Sequence, residues 1–203
     1  MKYKNLTVSQ KGLSLIESAM VLAISAVIVS GVLYYYNHAQ ENRKLEEGIK
    51  QIQTIAASVN KLYTNSTTSP KATNDDSKVT EAISAISGIP TKKVGKLTMF
   101  STPSGQWVQY WSGDNNTYVL ETQVQSVSSC ISYATLNMGT IMAGKTKILI
   151  GDREYGNSNS SNSSNSSNST NFSLSPSIAS GACEDAGKNK NSNNIKVRYT
   201  LRY

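Results

Sequence analysis

The segment Leu13–Tyr36 reads LSLIESAMVLAISAVIVSGVLYYY and decides the architecture of this 203-residue chain. As a helix that rises about 1.5 Å per residue, it is long enough to cross the hydrocarbon core of a bilayer. An ordinary secretory signal peptide has a shorter apolar core that ends in a small-residue cleavage site, and no turn-forming break interrupts this run. The sequence therefore predicts a membrane-spanning helix without cleavage inside the apolar run.

The charges around this segment predict its orientation. Lys2, Lys4 and Lys11 precede it, and basic residues favour the cytoplasmic side of a membrane. The tyrosines at positions 34–36 would then anchor the helix at the opposite interface, and everything that follows would be exported. We expect a precursor in the inner membrane, with a cytoplasmic N-terminus and a periplasmic C-terminus.

Glu17 lies four residues into the apolar run. A carboxyl group inside a membrane span costs about 2.5 to 3.5 kcal/mol on insertion scales, so such residues usually have a partner. The partner could be an interfacial group, Lys11, or a group on another chain. A shallow side chain that reaches the cytoplasmic headgroups is the simpler alternative, and the sequence leaves all of these open.

The helix continues beyond the membrane segment. Apolar residues recur at alternating spacings of four and three, with polar residues between them: Leu45, Ile49, Ile52, Ala56, Val59 and Tyr63. A helix from Leu13 to Tyr63 would be roughly 76 Å long, well beyond a bilayer, with Gly31 and Gly48 as its weak points. An exposed apolar rod suits a subunit whose helices pack side by side in a fibre, while the second half also packs on its own domain.

The rest of the chain predicts an α+β domain whose antiparallel sheet covers the exported half of the long helix. Short turns join the first three strand candidates, which makes them antiparallel neighbours. The predicted helices are Lys78–Ser87 and Val127–Asn137, and the predicted strands are Lys96–Ser101, Gln106–Ser112, Thr117–Val124, Lys145–Ile150 and Ile195–Tyr203.

The chain has two cysteines, and export to an oxidising compartment predicts one disulfide, Cys130 to Cys183. Closure of this long loop contributes about 4 kcal/mol in the chain-entropy model. Inside the loop, residues Asn157–Asn171 are all Asn, Ser or Thr, which cannot supply the apolar area needed for ordered packing. We expect a mobile surface segment there.

The sequence offers little support for an enzymatic or a nucleic-acid-binding function. Gly139–Thr146 matches the phosphate-loop pattern, but it follows a predicted helix and leads into a strand, which reverses the order that this chemistry requires. The chain has a single histidine, His38, so neither a Ser-His-Asp set nor a histidine metal site can form. The net charge of +7 is not concentrated after the membrane segment, so no specific nucleic-acid binding is expected. We predict no enzyme, no cofactor and no metal.

The residues Lys11–Leu22, KGLSLIESAMVL, resemble the processing site of type IV pilin precursors. In that family a membrane peptidase cuts after the glycine, here Gly12, and methylates the new N-terminal residue, here Leu13. The leader would be residues 1–12, followed by an assembly helix at 13–36 and a periplasmic globular domain at 37–203. Leucine at position 13 and the chain length resemble the type IVb branch, in particular its bundle-forming pilins.

The resemblance implies a role for Glu17. Cleavage would create an ammonium group on Leu13, which the carboxylate of a neighbouring subunit could meet inside the fibre. Two buried charges that need each other would select the axial register of the subunits. The segment Ser132–Thr140 also resembles the family, and the fold implied is the type IV pilin fold, with a long N-terminal helix on an antiparallel sheet and a C-terminal disulfide-bounded region.

The expected function is that of a major structural subunit of a type IVb pilus for adhesion, cell aggregation or conjugative contact. The partners implied are copies of itself, the prepilin peptidase, an assembly platform with its ATPase, an outer-membrane secretin, and a host-cell or recipient-cell surface. Two alternatives stay open. One is a minor pilin or type II secretion pseudopilin, and the other is a single-pass membrane-anchored binding domain.

Overall fold

The structure is a computed structural model that describes residues 14–64, 75–151, 153–155, 172–188 and 194–203. The chain divides into two compact units, residues 1–43 and 44–203, which are described separately. The leader and cleavage site predicted at residues 1–13, and the Asn/Ser-rich segment Asn157–Asn171, lie outside the described residues.

Helix α1, Leu15–Tyr63, is continuous through both glycines, which confirms the long N-terminal helix. In the second unit its buried residues include Ile52, Ala56 and Val59, three members of the predicted apolar face. The other three members of that face pack against the core and are partly buried: Leu45, Ile49 and Tyr63. The second half of α1 is therefore a core helix of the domain.

The second unit contains a seven-stranded sheet. Its strands are β1 Thr91–Val94, β2 Leu97–Ser101, β3 Trp107–Ser112, β4 Thr117–Val124, β5 Lys147–Ile150, β6 Arg153–Tyr155 and β7 Ile195–Arg202. Their order is β1-β2-β3-β4-β7-β5-β6, and every neighbouring pair is antiparallel. The last strand therefore pairs with β4 on one side and β5 on the other. The further helices are α2 Asp76–Ser87, α3 Val127–Ala134 and α4 Pro176–Gly187.

Two strands and one helix were not predicted from the sequence, and several predicted boundaries differ from the observed ones by a few residues. Strand β1 has the sequence TKKV, whose two lysines hide the alternation that predicts a strand. Strand β6 is only three residues long, and α4 consists mostly of small residues. Helix α3 ends at Ala134, not Asn137, and a short 3₁₀ turn follows at Gly139–Ile141. The one available signal for α4 was Ser175-Pro176, an N-cap residue followed by proline in the first turn.

Tyrosines link the elements inside the core. The hydroxyl of Tyr118 on β4 donates to the carbonyl of Ala56 on α1 at 3.3 Å. The hydroxyl of Tyr199 on β7 donates to the carbonyl of Tyr133 on α3 at 2.7 Å. Burial raises the pKa of Tyr133 to about 12, because the phenolate would lose its hydration. These hydrogen bonds allow polar groups to lie in an otherwise apolar interior.

Gly48 permits a close approach between α1 and α3. A Cβ atom at this position would overlap the hydroxyl of Tyr133, whose side chain is only 3% exposed. Gly48 is itself buried, and α1 stays helical on both sides of it. The helix does not break at Gly48, and the glycine allows it to pack against an aromatic side chain.

The face of the sheet opposite the helix core carries an ion cluster. Glu121 on β4 is 2% exposed, and its carboxylate pairs with Lys196 at 3.2 Å and Arg198 at 2.7 Å, both on β7. The same two cations lie over the rings of Trp107 and Trp111 on β3, at 5.3 and 5.1 Å from the ring centroids. This cluster ties three adjacent strands together, and cation–π contacts add to its ion pairs.

We expect Gly48→Ala to lower the free energy of unfolding by about 1 to 3 kcal/mol, because the added methyl group overpacks a rigid site beside Tyr133. Gly181→Ala in α4 is the matched control, since a Cβ there meets open space and alanine favours helix. Thermal unfolding of the detergent-solubilised protein, followed by circular dichroism, gives both values. Equal stability of the two variants would contradict the close contact.

We expect Glu121→Gln to lower the free energy of unfolding by about 1 to 3 kcal/mol, because it leaves Lys196 and Arg198 without their counter-charge. Glu154→Gln is the control: it removes the more exposed ion pair with Lys147 and should lower the free energy of unfolding by about 0 to 1 kcal/mol. Urea unfolding of the two variants compares them directly. An equal cost for both would show that the Glu121 cluster contributes no more than a surface ion pair.

Candidate assembly surface

The first unit presents an uncovered apolar helix surface. Leu15 is 89% exposed and Val27 is 73% exposed, and every residue of α1 up to Tyr36 is exposed. Among the described residues, α1 is the one helix long and apolar enough to cross a membrane by length and composition. An apolar surface of this size requires a bilayer or another protein to cover it.

The hydroxyl groups within this surface are satisfied locally. Ser25 Oγ donates to the carbonyl of Val21 and Ser30 Oγ to the carbonyl of Ala26, each at 2.7 Å. Ser18 Oγ donates to the carbonyl of Ser14 at 3.3 Å. Because these serines bond their own helix, they can enter an apolar environment without a partner from another chain.

Glu17 has a partner that the sequence analysis did not consider. The backbone N–H of Ser14 donates to Glu17 Oε2 at 3.2 Å, and the backbone N–H of Glu17 donates to Ser14 Oγ at 3.3 Å. This reciprocal pair is a capping box at the start of α1, and the motif Ser14-x-x-Glu17 was visible in the sequence. The carboxylate is therefore held at the positive end of the helix dipole.

The other predicted site residues fall in two groups. Gly12, Leu13 and Lys11 lie outside the described residues, so their geometry is not stated. Cys130 and Cys183 form the predicted disulfide, which joins α3 to α4 with a Cα–Cα distance of 5.9 Å. Both cysteines are fully buried, which makes the bond part of the core of the second unit.

The phosphate-loop pattern at Gly139–Thr146 has a different geometry from a nucleotide site. Its backbone N–H groups at Ala143 and Gly144 both donate to the carbonyl of Thr200 on β7. The segment leads into strand β5, whereas a phosphate loop opens a helix whose N–H groups hold the phosphates. The segment therefore lacks the strand–loop–helix order of a phosphate loop.

The described acidic residues at positions 75, 76 and 154 make contacts that serve the fold. Asp75 caps α2, and the hydrogen bond from the backbone N–H of Lys78 lowers its pKa. Asp76 accepts from Ser112 N at 3.0 Å and from Ser112 Oγ at 2.9 Å. Glu154 pairs with Lys147, and Asp152 is not described. Within the described ranges, no three metal-ligating side chains of the His, Cys, Asp or Glu type cluster together.

Comparison with known proteins finds two similar curated relatives. The chain is 32% identical over 196 residues to the major structural subunit of bundle-forming pilus from Escherichia coli O127:H6, and the alignment covers 95% of each chain. It is 31% identical, with the same coverage, to the protein of that description from Escherichia coli O111:H-. No protein-family model matches the chain.

A solved structure is also similar. The crystal structure of type IV b pilin from Salmonella typhi matches 77% of this chain and 97% of its own, with a TM-score of 0.45 and 15% sequence identity.

The apolar N-terminal helix and the disulfide-linked α+β unit define a pilin-like class of protein. Identity above 30% along almost the whole of both chains specifies the group within that class. The chain belongs to the type IV pilin family, among the relatives of the bundle-forming pilus major subunits.

Proposed function

We propose that this chain is the major structural subunit of a type IVb pilus. The observation that carries the proposal is the exposed apolar surface of α1 in residues 15–36, on a chain with 32% identity to a major pilus subunit. A helix of this kind is stable in a bilayer before assembly and among identical helices afterwards. Both environments cover the same apolar side chains.

The precursor is proposed to lie in the inner membrane, with residues 1–12 as a cytoplasmic leader, 13–36 as the assembly helix and 37–203 as the periplasmic domain. Prepilin peptidase would cut after Gly12 and methylate Leu13. The oxidising periplasm would then allow the Cys130–Cys183 bond to form. The remaining assembly partners are an inner-membrane platform, an assembly ATPase and an outer-membrane secretin.

Glu17 is proposed to change partners during assembly. In the single chain its carboxylate accepts from the N–H of Ser14. In the fibre it would accept from the Leu13 ammonium group of a neighbouring subunit, which offers a full charge in a setting without water. A subunit in the wrong register would leave an unpaired ammonium group in the apolar core. The pair would therefore select the stagger between subunits.

The main proposal is that the chain forms a pilus. The pilus would make contact with a host cell, a recipient cell or a sister bacterium. A structural role fits the described residues, in which the carboxylates discussed above hold strands and helices together. A minor pilin would share the processing site, and its abundance in purified fibres would be low. A membrane-anchored binding domain would keep its leader.

The first test is the mass and N-terminal sequence of the protein in fibres sheared from cells. We expect the protein to be the most abundant component and to begin with N-methylated Leu13. Protein that remains with membranes and begins at Met1 would overturn the proposal in favour of the anchored domain. A trace amount in otherwise normal fibres would favour the minor pilin.

The second test separates the two roles of Glu17. Glu17→Gln keeps an oxygen that can accept from Ser14 N–H but removes the charge that would pair with Leu13, so we expect loss of fibres with normal membrane levels of the subunit. Glu41→Gln, also exposed on α1, is the control and should leave fibre yield unchanged. Normal fibres from the Glu17→Gln variant would eliminate the charge pair and leave only the capping role.

A further inference from the structure

Two features of the second unit each leave one side exposed among the described residues, and they lie toward opposite ends of the sheet. The first is the hairpin of β1 and β2 at one edge. The second is helix α4, which packs against α3, β5 and β6 near the other edge. Apart from α1, these regions and the neighbouring α2 contain the large apolar side chains that are exposed among the described residues: Ile86, Val94, Leu97 and Ile178.

The hairpin is basic and apolar. All four residues of β1 are exposed, including Lys92 and Lys93, and Lys96 is exposed in the turn that follows. Val94 and Leu97, which pair across the turn, are 42% and 43% exposed. In the part of the chain that the structure describes, these three lysines form no ion pair.

Helix α4 has an exposed stripe of the opposite charge. Ile178, Gly181 and Asp185 lie along one side of the helix at spacings of three and four residues, and Glu184 is exposed beside them. The buried residues of α4 occupy the other side: Ala179, Ala182, Cys183 and Ala186. The stripe therefore combines one exposed isoleucine, a small residue that allows close approach, and two carboxylates.

The position of these carboxylates makes an external cation favourable. Glu184 and Asp185 lie near the C-terminal end of α4, where the helix dipole is negative and anions are disfavoured. Within the helix no basic residue occupies the last turn. Lys188, just beyond it, pairs with Asp185 at 3.4 Å, but both side chains are more than two-thirds exposed, and such a pair exchanges partners at little cost.

From this complementarity we infer that the β1–β2 hairpin of one subunit docks on helix α4 of the next copy in the fibre. The inference rests on the proposed pilus function. Lys92, which shares a strand face with Val94, would face Glu184 and Asp185 of the neighbour together with Lys96, and Val94 and Leu97 would cover its Ile178. Because the two surfaces differ and lie at different edges, the contact is head-to-tail and can repeat from subunit to subunit in an open fibre.

The lysines have a simpler role that the test must separate from docking. Charged residues on an edge strand prevent unwanted pairing with other sheets, and lysine is the commonest choice. Glutamate at the same positions would protect the edge equally well. Reversal of the charge therefore removes the docking interaction while it keeps the protective one.

Cross-linking in fibres tests the contact directly. We expect a chain with both Val94→Cys and Gly181→Cys to give a ladder of dimers, trimers and higher species when sheared fibres are treated with a short bis-maleimide. The native cysteines are buried and bonded to each other, so they do not react. The control chain combines Val94→Cys with a cysteine at the exposed Gln125, and it should give no ladder.

Charge reversal supplies the second measurement. Lys92→Glu with Lys96→Glu should lower fibre yield roughly tenfold or more, since like charges across an interface repel. Glu184→Lys with Asp185→Lys should do the same, and the four changes combined should restore fibres. Membrane levels of each subunit show that it folds.

The outcomes separate the two proposals. Normal fibres without a ladder, or charge reversals that leave the yield unchanged, would overturn the docking contact and leave the pilus function intact. Cross-linking of the Val94→Cys chain by itself would show a symmetric contact and would also overturn it. If the unmodified chain forms no fibres, the proposed pilus function is wrong, and the docking contact that rests on it is wrong with it.

Discussion

Burial of the second half of α1 in the domain is the contact on which the second unit depends. Ile52, Ile55 and Val59 are completely buried, and they belong to the same core cluster as the sheet residues Tyr118 and Tyr199. Each tyrosine hydroxyl is satisfied by a helix carbonyl, so the sheet is held to α1 and α3 by directional bonds as well as by apolar area. The absence of a side chain at Gly48 allows the hydroxyl of Tyr133 on α3 to lie close to α1.

The disulfide extends this core to the last helix. Helix α4 is short and its buried residues are mostly alanines, so it offers little apolar area with which to hold its place. The bond from Cys183 to Cys130 fixes it to α3, and closure of the 53-residue separation restricts the unfolded chain. The exposed stripe of α4 is thus held on a rigid part of the domain, which suits a surface that must meet a neighbour in a fixed position.

The first half of α1, unlike the second half, is not buried in the second unit's core. Its side chains are exposed in the single chain, yet its serines and its first turn are already satisfied by hydrogen bonds within the helix. Apart from the proposed exchange of the Glu17 partner, such a helix can move from lipid to a protein environment without breaking these polar contacts. That property suits the proposed subunit, which would lie in a membrane first and polymerise afterwards.

The amino-acid sequence by itself determined the long helix, its uncovered apolar segment, the apolar face from Leu45 to Tyr63, the central strands and the cysteine pair. These features follow from periodicity, length and residue type, which are local properties of the chain. The capping box at Ser14 and Glu17 was equally local, and the motif could have been found in the sequence.

Only the tertiary structure decided the rest. Strand β1 exists because β2 pairs with it, not because TKKV favours a strand, and the last strand lies between β4 and β5 because the fold brings distant segments together. The same holds for the contact of Gly48 with Tyr133 and for Glu121 between Lys196 and Arg198. Each of these contacts joins residues far apart in the chain, and a local sequence pattern does not identify the distant residue that will contact a given side chain.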